Sequence, residues 1–316
     1  MKQAELGSTG LRVTPLVFGS LPLGPLQADL DPREGGRLIR HALDCGINMV
    51  DTAELYGTYA HIREGLAGLS NLPVLASKTH ATNAEDARLH VENALRGIGV
   101  ERLDIVHIHG ARLSDPFNER AEVLEELLLM RGEGLIGHIG LSTHYICAVR
   151  AAADHPEIEV IHPLINRGGM GILDGSAEEM AAAISYAAAR GKGIYAMKAL
   201  AGGNLISSAR TSLGYVRRLD GVHAVAVGML AREEIEANIA MFDQRAEDET
   251  LWRVLESRRR HLKIMANFCK GCGACVDACT NEALRIVDGK AEVIEENCIL
   301  CGYCAAACPE FIIRVV

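Results

Sequence analysis

The sequence predicts an α/β fold: a (β/α)8 barrel followed by a small α+β domain at the carboxyl-terminal end. Three observations lead to this prediction. Short apolar runs alternate with amphipathic stretches between residues 16 and 241, a pattern typical of parallel strands with helical crossovers. There are eight such runs, and a (β/α)8 barrel usually takes roughly 250 residues. Finally, eight of the ten cysteines lie between Cys269 and Cys308, in two near-copies of one pattern.

The predicted strands are the apolar runs at 16–19, 47–51, 74–78, 104–109, 136–142, 159–164, 193–198 and 222–228. The predicted helices between them are 32–45, 83–96, 119–131, 176–190 and 232–242. Asp31 before Pro32 and Ser176 before Glu179 are typical helix starts. An open doubly wound sheet is the alternative architecture, because the number of strands alone does not close a barrel.

Two segments flank the predicted strands. Residues 5–14 predict a short hairpin with its turn at 7–10, which would plug the bottom of the barrel. Leu251, Trp252, Leu255 and Leu262 recur at helical spacing and predict a helix that leads off the barrel. We therefore expect a barrel over 1–243, a connecting helix over 244–264 and a small domain over 265–316.

Composition excludes several classes of partner. The net charge of -9 and the pI near 5.8 provide no basic surface for nucleic acid or anionic lipid. No apolar run approaches the roughly 20 residues of a membrane helix, and residues 1–10 do not resemble a signal peptide. We therefore expect a cytoplasmic protein whose clustered cysteines are metal ligands and not disulfides.

The two cysteine runs each read Cys-x2-Cys-x2-Cys-x3-Cys, which resembles the bacterial ferredoxins that hold two 4Fe-4S clusters. In that arrangement three cysteines of one run and the last cysteine of the other share a cluster. The implied ligands are Cys269, Cys272, Cys275 and Cys308 for cluster I, and Cys298, Cys301, Cys304 and Cys279 for cluster II. Zinc knuckles are the alternative, but they use two pairs of ligands and not runs of four.

Polar residues follow three successive predicted strands at their carboxyl ends, where barrel enzymes place catalytic groups. The second strand ends in Asp51-Thr52-Ala53-Glu54-Leu55-Tyr56-Gly57, the third in Lys78 and the fourth in His109. This pattern resembles the aldo-keto reductase family over roughly residues 4–242. The resemblance implies a (β/α)8 TIM barrel, a carbonyl or alcohol substrate, and a catalytic tetrad of Asp51, Tyr56, Lys78 and His109.

The chemistry of these residues is consistent with that role. A cation beside a tyrosine favours the phenolate, so we expect Lys78, oriented by Asp51, to lower the pKa of Tyr56. His109 would hydrogen-bond the substrate oxygen and polarise the carbonyl. His107 alternates with His109 along the strand, and we prefer His109 because it comes last. A single strand-end aspartate usually caps a helix, but four such groups at three strand ends favour a catalytic site.

The resemblance also implies a nicotinamide cofactor, NADH or NADPH, with contacts from Ser142, Asn166 and Asn238. Lys198 and the glycines after it would hold a phosphate. The sequence departs from the family at three positions. His162 replaces an expected glutamine, Met197 replaces a tyrosine that stacks on the nicotinamide, and Glu234 stands where a basic residue is common.

These observations predict an oxidoreductase that reduces a carbonyl or oxidises an alcohol. Its clusters would carry electrons to or from a partner protein, and a flavin is a further candidate cofactor because clusters transfer single electrons whereas nicotinamides transfer hydride. Two alternatives stay open. The clusters could be structural or docking elements of a nicotinamide-dependent reductase, or the chain could be a redox-sensing subunit without catalytic activity.

Overall fold

A closed parallel barrel forms the centre of the protein in the computed structural model, which describes residues 1–316. Two strands precede it, β1 (Ala4–Glu5) and β2 (Arg12–Val13). The barrel strands are β3 (Leu16–Gly19), β4 (Met49–Asp51), β5 (Val74–Thr79), β6 (Leu103–Gly110), β7 (Ile136–Thr143), β8 (Val160–Pro163), β9 (Gly193–Ala196) and β10 (Ala224–Gly228). β10 pairs with both β9 and β3, which confirms the barrel and rules out the open sheet.

Helices surround the barrel and cover its apolar outer face. They are α1 (Pro32–Asp44), α2 (Tyr59–Leu66), α3 (Ala84–Ile98), α4 (Pro116–Glu119), α5 (Ala121–Gly132), α6 (Ile146–Asp154), α7 (Ala177–Ala188), α8 (Ala209–Arg217) and α9 (Arg232–Phe242). The side chain of Asp31 caps α1, and Ser176 with Glu179 forms a capping box on α7. None of the helices combines the length and apolar character that crossing a membrane requires.

The hairpin of β1 and β2 lies at the amino-terminal end of the barrel. Leu6 and Val13 are fully buried and pack against Val17, Met49 and other side chains inside the barrel. The predicted plug is therefore present. Because this end is closed by apolar packing, only the carboxyl ends of the strands are open for chemistry.

The segment after the barrel differs from the predicted connecting helix. The helix α10 spans only Glu249–Ser257, and Arg258 is already extended. Leu262 then begins β11 (Leu262–Ile264), which pairs antiparallel with the last strand of the chain. Leu262 is buried in the core of the small domain, so it fits the helical spacing by coincidence.

The small domain is built from two short helices and two two-stranded sheets. Its elements are α11 (Ala274–Asp277), β12 (Leu284–Val287), β13 (Lys290–Val293), α12 (Tyr303–Ala307) and β14 (Ile313–Val315). β12 pairs with β13 and β11 with β14. Each helix follows a glycine with positive φ, Gly273 or Gly302, and begins within a cysteine run.

The second cysteine run packs directly on the barrel. A Cβ on Gly302 would overlap the carbonyl oxygen of Leu26, and a Cβ on Gly202 would overlap that of Ile299. Gln27 Nε2 donates to Leu300 O at 3.3 Å, and Asn204 Nδ2 donates to Cys298 O at 2.7 Å. The backbone of the second cysteine run is therefore in van der Waals contact with the backbone of the barrel loops, and the small domain covers part of the open end of the barrel.

We expect Gly302→Ala to loosen this interface. Overpacking costs about 1–3 kcal/mol, so the undocked population should rise about 5- to 150-fold. Gly273→Ala is a matched control, because Gly273 has the same φ of 84° but no heavy atom within 4 Å of its Cβ position. Faster amide hydrogen exchange at residues 21–28 in the first variant only would support the contact. Equal exchange in both variants would contradict it.

Candidate active site

The four residues predicted as a catalytic tetrad converge at the carboxyl end of the barrel. Asp51 ends β4, Lys78 lies near the end of β5, and His109 lies near the end of β6. Tyr56 ends a short helical turn after β4, and its ring meets the ring of His109 edge-on with the centroids 6.1 Å apart. Parallel strands bring their carboxyl ends together, so residues far apart in sequence share one site.

Lys78 and Asp51 form a buried ion pair beneath Tyr56. Lys78 Nζ donates to both carboxylate oxygens of Asp51 at 2.7 Å and to Thr52 O at 2.8 Å. These three bonds use all three hydrogens of the ammonium. Lys78 Nζ lies 5.0 Å from the centroid of the Tyr56 ring. The pair is thus internally satisfied and fixes the floor of the site.

The pKa of Tyr56 differs from the expectation. Burial, then the neighbouring Tyr303, then Asp51 raise the pKa of Tyr56 well above its ordinary value. The predicted lowering by Lys78 is absent because the charge of Lys78 is already balanced by Asp51. Burial, then Lys78, also lowers the pKa of His109 well below its ordinary value. At neutral pH the site therefore presents an uncharged phenol and an uncharged imidazole.

Three residues below the tetrad form a network that sequence analysis did not predict. Tyr195 donates its hydroxyl to Asp51 Oδ1 at 2.9 Å and lies 2.6 Å from His107 Nε2. Because that hydroxyl has one hydrogen, His107 carries its proton on Nε2 and donates it to Tyr195. His162 stacks on Tyr195 with the ring centroids 4.0 Å apart, and its Nδ1 donates to Tyr195 O. Both histidines at β6 thus serve the site, His107 by holding Asp51 in place.

Four imidazoles with lowered pKa should make the protein sensitive to acid. Burial is the largest cause that lowers the pKa of His107, His109 and His162 well below the ordinary 6.5, and that of His144 to about 3. His107, His144 and His162 are at most 4% exposed. Below pH 6.5 the unfolded chain binds protons that the folded chain excludes, so stability is complete above pH 6.5 and falls as the pH decreases. Each histidine contributes about 1.4 kcal/mol per pH unit, or about 5–6 kcal/mol per pH unit for the four.

Urea unfolding under anaerobic conditions at several pH values between about 5.5 and 7.5 measures this slope. We expect His144→Gln to lose about a quarter of it, because His144 Nδ1 has no hydrogen-bond partner that the substitution would remove. A free energy of unfolding that does not change over this range would contradict the account.

A cavity of about 690 Å³ extends from the tetrad along the ends of β9 and β10. Asp51, Tyr56 and His162 line one end, and Glu234 and Asn238 on α9 line the other. Residues of the connecting segment and of the carboxyl terminus complete the wall: Trp252, Leu255, Arg258, Arg259, Arg260, Val315 and Val316. The volume of the cavity falls within the size range of cofactor sites. The barrel encloses it on one side, and the connecting segment with the last strand encloses it on the other.

The predicted cofactor contacts divide into two groups. Lys198 and Asn238 line the cavity, and Lys198 forms no ion pair with any carboxylate. Ser142 and Asn166 do not line it. The Ser142 hydroxyl is buried against Met197 Sδ, 3.9 Å away. The amide of Asn166 is engaged by its own loop, since it donates to Met170 O and accepts from the amides of Gly168 and Met170.

The acidic residue at the far end of the cavity is neutralised. Glu234 forms an ion pair with Arg258 and also accepts from the amide of Leu230 at 2.6 Å. Arg259 donates only to the backbone carbonyls of Glu256 and Arg258. The unfavourable charge expected from Glu234 is therefore offset by arginines that the connecting segment brings to this end.

The cysteine arrangement fits two 4Fe-4S clusters. Five of the eight thiols share one buried core: Cys275, Cys279, Cys298, Cys304 and Cys308. Backbone amides of Gly271 and Ala291 point at Cys269 Sγ, and that of Ala283 points at Cys279 Sγ. Amides directed at sulfur suit thiolate ligands, whose negative charge they stabilise.

The thiols also group as the cluster assignment requires. Burial raises the pKa of Cys275, and the other thiols that raise it are Cys269 and Cys308, two members of the cluster I set. Burial likewise raises the pKa of Cys298, to which Cys301 and Cys279 of the cluster II set contribute. The last cysteine of each run thus lies among the first three of the other run.

The cysteines of the predicted cluster II set lie on the side of the tetrad. Tyr303, between Cys301 and Cys304, places its hydroxyl 3.4 Å from His109 Nε2. Cys301 lies close enough to Lys198 to raise its pKa, although burial has the larger, opposite effect. The contact between Tyr303 and His109 was not predicted from the sequence. The only hint in the sequence is that the second cysteine run has a tyrosine, Tyr303, where the first run has Ala274.

Two family models match the chain. The aldo/keto reductase family model matches residues 15–211, and a 4Fe-4S dicluster domain model matches residues 261–309. These ranges correspond to most of the barrel and to the small domain with β11. The second match supports iron-sulfur clusters in that domain.

Individual relatives agree with the family models. Probable aldo-keto reductase 1 of Glycine max is 30% identical over 175 residues, 49% of each chain. The Bacillus subtilis aldo-keto reductase YhdN is 28% identical over 185 residues, 53% of this chain and 55% of the relative. The chain thus spans about half the length of the curated relatives it matches.

Solved structures match over more of the barrel. PA4992 of Pseudomonas aeruginosa, described as an aldo-keto reductase, is 30% identical with a TM-score of 0.66. The match covers 77% of this chain and 95% of that chain. The holo form of AKR11C1 from Bacillus halodurans matches 81% of this chain and 95% of its own length at 21% identity, with a TM-score of 0.64, and shows the shared fold alone.

Proposed function

This chain belongs to the aldo/keto reductase family, and from that premise we propose that it is an oxidoreductase that reduces a carbonyl or oxidises an alcohol at Tyr56. Two 4Fe-4S clusters in its small domain would carry electrons to or from a partner protein. The observation that carries the proposal is the contact between the two halves, in which Tyr303 of the second cysteine run reaches His109 of the tetrad.

In the proposed reaction the chain's own residues bind the substrate oxygen and supply a proton. The Tyr56 hydroxyl and His109 Nε2 both neighbour the Tyr303 hydroxyl, so both can donate to a substrate oxygen in that place and stabilise the charge that develops on it. Tyr56, held protonated by burial, then donates its proton to give the alcohol. Lys78, held by Asp51, lies near the ring of Tyr56, and Tyr195 with His107 keeps Asp51 in place.

The proposed cofactors are the two clusters and a nicotinamide, with a flavin as a further candidate. Bound in the chain, a nicotinamide would supply the hydride, a flavin would exchange both hydride and single electrons, and the clusters would transfer single electrons. Lys198 and Asn238 would hold the nicotinamide cofactor, together with His162, whose Nε2 is free to accept because its Nδ1 donates to Tyr195 O. The cluster ligands are the two sets of four cysteines predicted from the sequence.

We expect NADPH to bind more tightly than NADH, because Arg259 is free to pair with a 2'-phosphate while Arg258 offsets Glu234. Arg259→Gln should weaken NADPH binding about 10- to 150-fold and leave NADH binding unchanged, since a charge-assisted hydrogen bond contributes about 1.5–3 kcal/mol. Trp252, the only tryptophan, lines the cavity and provides a fluorescence signal for binding. Equal loss of affinity for both nucleotides would contradict this assignment.

The proposed function is tested by anaerobic purification followed by iron, sulfide, flavin and nicotinamide analysis. Cluster absorbance is then recorded while NADH and NADPH are added in turn. Bleaching by either nucleotide would connect the barrel with the clusters. No bleaching and no bound flavin would contradict electron exchange between them.

A second candidate is a nicotinamide-dependent reductase whose clusters only fold or dock the small domain. The enclosed cavity beside Tyr56 favours it, because the small domain forms part of the cavity wall whatever the clusters do. Under this alternative, carbonyl reduction with NADPH would proceed at the same rate with clusters oxidised or reduced.

A further inference from the structure

Tyr303 enters the barrel's site from the cluster-binding loop. Its ring packs with Leu26, Ala53 and Tyr56 in one small apolar cluster. Its hydroxyl lies 3.4 Å from His109 Nε2, and its ring meets that of His109 edge-on with centroids 6.4 Å apart. The Tyr303 hydroxyl also neighbours the Tyr56 hydroxyl and, after burial, is the largest cause of the raised pKa of Tyr56. The Tyr303 oxygen therefore lies at the two groups that would bind a substrate oxygen.

The backbone holds this side chain in place. Gly302, directly before Tyr303, lies against the Leu26 carbonyl, and Leu300 O accepts from Gln27. His109 Nδ1 is buried without a partner, so the contact with Tyr303 is the only hydrogen bond of that imidazole. The first cysteine run has Ala274 at the equivalent position, so cluster binding itself does not require a tyrosine.

We propose that Tyr303 is a specificity-determining residue of the barrel site: its hydroxyl occupies the position of the substrate oxygen, and a carbonyl compound binds only by displacing it. This inference rests on the proposed function for the identity of the substrate class. It follows that the affinity of the site for an oxygen acceptor is reduced by the hydrogen bonds that Tyr303 makes. Because the hydroxyl is fixed to the ring, the ring shifts with it, and only small carbonyl compounds fit beside the shifted ring, which packs with Ala53 and Tyr56.

The hydroxyl and the ring of Tyr303 have separate functions, and two substitutions distinguish them. Its hydroxyl competes with the substrate oxygen, so Tyr303→Phe should lower KM for a small aldehyde. A hydrogen bond contributes about 0.5–1.5 kcal/mol net, which corresponds to about a 2- to 12-fold lower KM with kcat unchanged. Its ring limits size, so Tyr303→Ala should extend turnover to bulkier aldehydes. A fall in kcat with unchanged KM for Tyr303→Phe would overturn the inference, because it would identify Tyr303 as a proton donor or positioning group.

A binding experiment tests the competition without turnover. Benzoate presents a carboxylate oxygen to the same two donors, Tyr56 and His109, and should displace Tyr303 from them. Because Tyr303 lies between two proposed ligands of cluster II, its displacement should change the electron paramagnetic resonance signal of the dithionite-reduced protein. We expect benzoate to shift this signal in the wild type, and to bind about 2- to 12-fold more tightly to Tyr303→Phe. Equal benzoate affinity in the two proteins, or no binding to either, would overturn the inference.

Two controls keep the outcomes distinct. Tyr215→Phe alters a half-buried tyrosine on α8 whose hydroxyl has no hydrogen-bond partner, and it should match the wild type in both experiments. Intact cluster signals in each variant exclude misfolding as the cause. If benzoate binding responds to Tyr303→Phe while no carbonyl is reduced by any variant, the proposed function fails and the assignment of Tyr303 stands.

Discussion

Tyr56→Phe is expected to lower carbonyl reduction about 10²- to 10⁴-fold, the usual contribution of a positioned general acid. The phenol of Tyr56 is buried, protonated and directed into the cavity with His109 beside it. Phenylalanine keeps the ring, which packs with Leu26 and Ala53, and removes only the donor. The fold, the clusters and cofactor binding should therefore be unchanged.

Tyr59→Phe is the matched control. Tyr59 lies three residues later, and its hydroxyl contacts Ser77 at 3.3 Å and no member of the tetrad. Steady-state kinetics of the two variants should differ by at least two orders of magnitude in kcat. Equal rates for Tyr56→Phe and the wild type would show that proton donation takes place elsewhere.

Lys78→Met is expected to abolish activity and to destabilise the barrel by about 3–5 kcal/mol. Lys78 is 1% exposed and Asp51 is 4% exposed. Removing one partner of a buried ion pair leaves the other charge without compensation, which is the reason for the large cost. A displaced Asp51 carboxylate would also lose its hydrogen bond from Tyr195.

The control for this substitution is a surface ion pair. Arg40 and Asp44 form one at 3.0 Å on the exposed face of α1, and Arg40→Met should change stability by less than about 1 kcal/mol. Urea unfolding of both variants measures the difference. A Lys78→Met protein as stable as Arg40→Met would contradict the buried pair as described.

Much of the fold follows from local patterns. The eight strands and the cysteine runs were predictable because strand periodicity and ligand spacing are properties of short segments. The helices α2, α6 and α8 were not predicted, because each is short and is stabilised by packing on the barrel. The tetrad was predictable because Asp51, Lys78 and His109 each end a strand, and parallel strands end at one place.

The rest of the site depends on contacts that no local pattern contains. Tyr195 reaches Asp51 across 144 positions of sequence, and its role would have required knowing that it points into the barrel. Tyr303 reaches His109 across 194 positions and from another part of the fold. Asn166 illustrates the opposite case, since a residue that matches the family pattern is engaged by its own loop.

The central claim is that carbonyl chemistry at Tyr56 and electron transfer by the clusters belong to one site. It is tested most directly with protein loaded with flavin, which would take one electron from each of the two clusters and pass both to the aldehyde as hydride. The clusters are reduced under anaerobic conditions, the reductant is removed, and the protein is mixed with a small aldehyde in a stopped-flow spectrometer. The account predicts that the clusters of the wild type are reoxidised while alcohol forms, and that Tyr56→Phe slows both changes about 10²-fold or more. Clusters that stay reduced in the wild type, or that are reoxidised at the same rate in Tyr56→Phe, would contradict it.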